Sequence, residues 1–225
     1  RLGVAGCHRD VFTRGALRRL VEGYAREAGV RALEKSMRSC MRKVAKKRAA
    51  GELDEAFKIR AETVESLLGR PRFTDDALMR KSRPGVVMGL AWTPLGGSTL
   101  YVEAATLAGK SDFKLTGQLG DVMTESCHIA YSLVTGNPAT FGFPEAVFDN
   151  KVTHIHVPAG AIKKDGPSAG VTMATALVSL GRNEPPPKNW AMTGELTLSG
   201  RVLPVGGIKE KVIAARRSRV KDVIL

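Results

Sequence analysis

The spacing of apolar residues changes near residue 80, and this change limits the fold more than any other feature of the chain. Before it, apolar residues recur with the period of a helix; after it, they come in short runs broken by turn residues. In "EAGVRALEKSMRSCMRKVAKKRAAGE", Leu33, Met37, Cys40, Met41 and Val44 follow i, i+4, i+7, i+8 and i+11, one stripe with Lys and Arg on the other faces. Gly29 separates this segment from an earlier helix in "DVFTRGALRRLVEGYAREA". A third helix, "FKIRAETVESLLG", ends at Gly69, a C-cap residue placed just before Pro71. Helices from Asp10 to about Leu68 predict a small all-α bundle over residues 1–80.

From 81 to 225 the pattern alternates. "VVMGLAW" and "STLYVEAAT", joined by the turn-like "TPLGG", read as a strand pair. "LTGQLGDVMTESCHIAYSLVTGN" is helical in its second half, with Val122, Ser126, Ile129 and Leu133 on one face. "THIHVPAG" is a strand, a helix runs from Ser168 to near Gly181, and "NWAMTG" and "ELTLSGRVLPV" form a strand and a hairpin. "GGIKEKVIAARRS" starts another helix and "VKDVIL" is a strand. Strands alternating with helices define an α/β domain, which can continue past Leu225. "EPPPK" is a surface loop.

Charge and cysteine usage narrow the classes. The net charge is +13, with 19 Lys/Arg against 11 Asp/Glu in residues 1–80 and 16 against 11 in the remainder. Such a basic surface attracts polyanions, DNA included, without conferring specificity. With 12 aromatic residues and no stacking motif, base readout has no support. Cys7, Cys40 and Cys127 are odd in number and at no metal-ligand spacing, which fits a reducing compartment. No apolar run reaches membrane-spanning length, and "RLGVAGCHRD" has no signal core, although a chain without an initiating Met can have lost one.

Three short motifs bear on chemistry. "AATLAGKS" imitates a phosphate-binding loop but has Ala104 where glycine is needed. "GPSAG", Gly166 to Gly170, fits the nucleophile elbow of α/β-hydrolases, yet His8, His128, His154 and His156 all lie upstream of Ser168, whereas those enzymes place His downstream. Ser168 opens a helix, where unpaired backbone N–H groups favour a developing oxyanion; capping that helix is an equally adequate reason for a serine there. A serine nucleophile without a downstream His can use a lysine of lowered pKa. "GGIKEKVIAARR" offers Lys209 and Lys211, about 200° apart on a helix. With Ile208, Val212 and Ala215 as the buried stripe, Lys211 falls nearer the apolar side and is the better candidate for desolvation. Two solvated surface lysines remain the alternative.

Five blocks together, "YAREAGVRALEKSMRSCMRKVA", "PGVVMGLAWTPLGGSTLYVE", "LTGQLGDVMTES", "HIHVPAGAIKKDGPSAGVTMATALVSL" and "AMTGELTLSGRVLPVGGIKEKVIAARR", closely resemble the Lon family of ATP-dependent proteases in family order. The resemblance implies a Lon-type α/β (α+β) proteolytic domain, of the ribosomal protein S5 domain 2-like fold, preceded by the small α-domain of an AAA+ module. It implies a Ser–Lys dyad endopeptidase with Ser168 as nucleophile and Lys211 as base. Thr193 would hydrogen-bond the lysine, Asp165 would shape or gate the serine pocket, and Glu103 and His156 would support the site. Arg31 matches the family's sensor arginine for nucleotide. Metal is not expected, since His154 and His156 lack a third ligand and the family is metal-independent. ATP and Mg²⁺ belong to the full-length enzyme; the nucleotide-binding subdomain is outside this chain, so no ATPase activity is expected of it. Unfolded or damaged proteins are the implied substrates and a homohexamer the implied assembly. Lys163 stands where the family commonly has proline. "GGSTLYVE" and "THIH" look closer to mitochondrial members, which points to the mitochondrial matrix, with a bacterial cytoplasm as the alternative.

Overall fold

The computed structural model describes residues 11–25, 27, 29–54, 56–73, 82–93, 96–158 and 163–225. Cys7, His8, the expected helix start at Asp10 and the expected boundary between 80 and 81 lie outside these residues. The chain divides into two compact units, Arg1–Asp75 and Asp76–Leu225.

In the first unit, α1 (Arg14–Tyr24), α2 (Arg31–Ala49) and α3 (Ala61–Leu68) enclose a core of Phe12, Leu20, Cys40, Val44, Ile59 and Val64. The N-terminus of α1 is capped by Thr13, whose hydroxyl accepts from Ala16 N at 3.2 Å. The Glu27 carboxylate does the same for α2, accepting from Ala32 N and Leu33 N at 2.7 and 3.0 Å. Cys40 and Val44 are buried while Leu33, Met37 and Met41 pack beside them, the stripe that the helical spacing predicts. Gly69 ends α3 at φ 83°, a conformation other residues resist.

The second unit is built on a six-stranded mixed sheet. Its elements are β1 (Val86–Thr93), β2 (Gly96–Ala108), β3 (Asp112–Thr116), α4 (Asp121–Thr135), the short α5 (Pro138–Phe141), β4 (Lys151–His156), α6 (Gly170–Arg182), β5 (Trp190–Met192), β6 (Glu195–Leu196), β7 (Val202–Leu203), α7 (Ile208–Arg217) and β8 (Asp222–Ile224). Strand order is β3-β4-β2-β1-β5-β8, with β6 and β7 a separate hairpin. β1, β2 and β4 run antiparallel to their neighbours among themselves, while β3 joins β4, and β5 and β8 extend from β1, in parallel. Helices α4 and α6 bury Cys127, Ala130, Met173 and Leu177 against Val87, Val102 and Ile155 on one face. On the other, α7 packs Ala215 against Leu90 and Ala191. Close approach of α7 to β2 depends on Gly97, where a Cβ would lie 1.9 Å from the Glu210 carbonyl oxygen.

The α/β class with a preceding helical bundle is as expected, but one strand was not anticipated and two local expectations are corrected. "DFKLT" is strand β3, and its partner β4 lies about forty residues away in sequence. In α4, Val122 is exposed and Met123 takes its place in the core, while Ser126 and Leu133 are buried as expected. In α7 the buried residues are Lys211, Ala214 and Ala215, whereas Val212 and Ile213 are exposed. The phosphate-loop imitation is a strand as far as Ala108, followed by the turn into β3.

Candidate active site

Ser168 lies in a single 3₁₀ turn, Pro167–Ala169, that runs directly into α6. Gly166, at φ 110°, turns the chain into it. The segment before the serine is fastened to the stretch that leads into α4: Lys164 N donates to Gln118 O at 2.9 Å and Gly120 N to Lys164 O at 2.7 Å. Asp165 completes this junction. Its Oδ1 accepts from Gly166 N at 2.9 Å and from Met123 N in the first turn of α4 at 3.1 Å. These two backbone donors, the Gly166 bond first, hold the carboxyl below its ordinary range, and the charge of Lys163 adds to them. Lys164 Nζ donates to Gly117 O at 2.6 Å, and burial lowers its pKa.

On its other side the serine backbone is held by the segment after β5. The Ser168 carbonyl accepts from Gly194 N at 2.9 Å and from the Thr193 hydroxyl at 3.0 Å, while Thr193 N donates to Ile224 O beside it. A hydroxyl has one proton, and Thr193 gives it to Ser168. Thr193 Oγ1 therefore acts as acceptor to Lys211 Nζ, 3.0 Å away.

Lys211 is 2% exposed. Burial lowers its pKa, and among the described residues no carboxylate forms an ion pair with it. Desolvation without a counter-charge favours the neutral amine, which is the form that can accept a proton. Lys209, two positions earlier, is exposed. The burial of Lys211 is as expected from its place on the helix; Ala214 and Ala215 are buried beside it, while Val212 of the expected stripe is exposed.

Ser168, Lys211 and Asp165 open into one cleft of about 720 Å³, walled by Leu100, Met123 and Trp92. No hydrogen bond joins the Ser168 hydroxyl to Lys211. Glu103 and His156 are not brought to the cleft. They face each other across β2 and β4, and His156 Nδ1 instead meets Thr116 Oγ1 at 2.7 Å, which His154 Nε2 also meets at 2.9 Å. Alternation along the strands turns these side chains to the face opposite α4 and α6. Arg31 is the first residue of α2, with an exposed side chain in the other unit. Among the described residues no group of three or more His, Cys, Asp or Glu is placed to hold a metal ion.

Two contributors escape sequence reasoning, the Gly194 N–H and the Lys164 tether. Both act through partners distant in sequence; their signal is confined to the glycine of "MTGE" and the double lysine of "KKDG".

A mixed sheet that brings a helix-opening serine and a buried lysine with no ion-pair partner among the described residues to one cleft fits a domain of the serine-peptidase class, here following a helical unit. Residues 58–225 match the family described as the Lon protease (S16) C-terminal proteolytic domain, and residues 9–57 match the Lon protease AAA+ ATPase lid domain. The chain belongs to the Lon protease family. Similar proteins named "Lon protease" occur in Syntrophus aciditrophicus (53% identical), Koribacter versatilis (51%) and Chloroflexus aurantiacus (48%), with 95%, 95% and 96% of this chain covered. The chain spans about a quarter of the length of these relatives, 27%, 26% and 26% respectively. All three are bacterial, so the mitochondrial likeness drawn from "GGSTLYVE" and "THIH" gains no support from them. The proteolytic-domain match begins at 58 and so includes α3, yet Ile59, Val64 and Leu67 pack in the core of the helical unit.

Proposed function

We propose that the chain is the peptide-cleaving part of an ATP-dependent serine endopeptidase, with Ser168 as nucleophile and Lys211 as general base. The observation that carries this reading is the buried Lys211, unpaired with any carboxylate among the described residues, in the cleft that Ser168 opens into. Ser168 Oγ attacks a peptide carbonyl while neutral Lys211 Nζ takes the hydroxyl proton. The resulting ammonium returns it to the leaving amine as the C–N bond breaks. Water then attacks the acyl-enzyme ester, Lys211 accepts its proton, and Ser168 recovers one on release of the acid. Thr193 and Asp165 are positioning residues: Thr193 ties Lys211 to the Ser168 carbonyl, and Asp165 fastens the serine segment to α4. Proton transfer requires Ser168 Oγ and Lys211 Nζ to lie within hydrogen-bond range of each other.

The proposal extends to the longer protein. Its substrates are unfolded or damaged proteins, its assembly a homohexamer, its location the bacterial cytoplasm. ATP and Mg²⁺ would be held mainly by residues beyond this chain, with Arg31 reaching the nucleotide, and this chain alone has no ATPase activity. Among the described residues no helix is long and apolar enough to cross a membrane. The basic faces of α2, with Lys46, Lys47 and Arg48 in its last turn, support a second, separable reading, contact with DNA. Absence of binding in a low-salt titration would remove it.

Hydrolysis of a fluorogenic peptide tests the main reading. Ser168→Ala and Lys211→Ala should each abolish turnover while the chain stays folded; normal turnover by either variant overturns the dyad.

A further inference from the structure

Five ionic side chains border the Ser168 cleft: Lys163, Lys164, Asp165, Glu195 and Lys211. Three are already committed to partners. Lys211 bonds Thr193, Lys164 bonds the Gly117 carbonyl, and Asp165 holds the N–H groups of Gly166 and Met123. Lys163 is different. It is exposed, and among the described residues it forms no hydrogen bond or ion pair, so its ammonium is available at the cleft mouth. Its charge reaches the segment that carries the serine, because it contributes to the lowered pKa of Asp165 two residues away.

We infer that Lys163 sets a local charge preference, favouring peptides that place a single Asp or Glu beside it at one position near the scissile bond. This inference rests on the peptidase reading of the same cleft. The walls formed by Trp92, Leu100 and Met123 are apolar and indifferent to the sign of a substrate charge. The other ionic group lining the cleft without a hydrogen-bond or ion-pair partner among the described residues, Glu195 on β6, is anionic. A uniformly acidic peptide therefore gains at Lys163 and loses at Glu195. What distinguishes a good substrate is the position of one carboxylate, not its total charge. A partly exposed ion pair of this kind is worth roughly a 2- to 5-fold change in rate, and salt weakens it.

The test uses internally quenched peptides of one core sequence, carrying Asp, Gln or Lys at successive positions on either side of the cleaved bond. kcat/KM is measured for the unaltered chain, Lys163→Gln and Lys163→Glu, at low salt and again near 1 M, where screening acts within about 3 Å. The Asp-to-Lys ratio is taken within each protein, so a partly folded variant does not distort it. At one position the ratio should be roughly 5 or more in the unaltered chain at low salt, near one in Lys163→Gln and below one in Lys163→Glu, and it should shrink at high salt. The same ratio in all three proteins, or an equal preference at every position as the net charge of +13 alone would give, overturns the inference while leaving the peptidase reading intact. If the unaltered chain cleaves none of the peptides, both fall together.

Discussion

Lys211 combines two properties that most lysines keep apart, a deeply buried amine and no anionic partner among the described residues. Replacing it with methionine keeps most of the volume and removes the group that resists burial. Lys211→Met should therefore melt at the same temperature or higher while losing at least about 10³-fold in kcat, checked by calorimetry beside peptide hydrolysis. The pH dependence has a definite sign. Catalysis needs the neutral amine, so kcat should rise with pH along a limb whose midpoint lies below the ordinary lysine value of 10.5. Between that lowered pKa and 10.5 the unfolded chain binds more protons than the folded one, so this group's contribution to stability improves as pH rises through the same window. Thr193 provides a second test. Thr193→Val leaves Lys211 without its acceptor, which favours the neutral amine further; the acid limb should move to lower pH while kcat falls about 10- to 100-fold through misplacement, and Thr193→Ser should restore both. At this scale the sequence was informative about which lysine is buried and uninformative about why. Of the expected stripe Ile208, Val212 and Ala215, Ala215 is buried but Val212 faces outward, as does its neighbour Ile213, while small Ala214 and Ala215 are buried where α7 lies against the sheet.

The close seating of α7 on β2 fixes where its lysine points. Gly97→Ala would push a methyl group into the Glu210 carbonyl and toward the Ala214 side chain, so α7 must move away from the strand. We expect a loss of about 1 to 3 kcal/mol in denaturant unfolding together with reduced peptidase activity, because Lys211 moves with its helix. An unchanged kcat would show that the lysine does not depend on this seating. Elements whose partners are near in sequence were legible: the β1–β2 pair, the β6–β7 hairpin, and the helix that Ser168 leads into. Strands β4, β5 and β8 were legible despite distant partners; β3 was not. "DFKLT" alternates polar and apolar residues but offers only two apolar positions, and β4 supplies the parallel edge it pairs with. Glu103 and His156 share this difficulty, since register alone decides that they meet each other rather than the cleft.

The two units have separate cores, one around Leu20 and one around Met173. Leu20→Ala should cost about 2 to 5 kcal/mol in the helical unit and Met173→Ala a similar amount in the sheet unit, each leaving the other unit's unfolding unchanged. The change in apolar texture near residue 80 made this two-part organisation readable, although α3, which lies wholly within the proteolytic-domain match, completes the first core. Each core also encloses one cysteine. Burial pushes Cys40 to about 11 and Cys127 to about 12, so neither presents an appreciable thiolate while its unit is closed. The pair therefore acts as two independent clocks. Timed alkylation followed by peptide mass spectrometry reads the opening of one unit at Cys40 and of the other at Cys127, within a single sample, and Leu20→Ala should speed only the first.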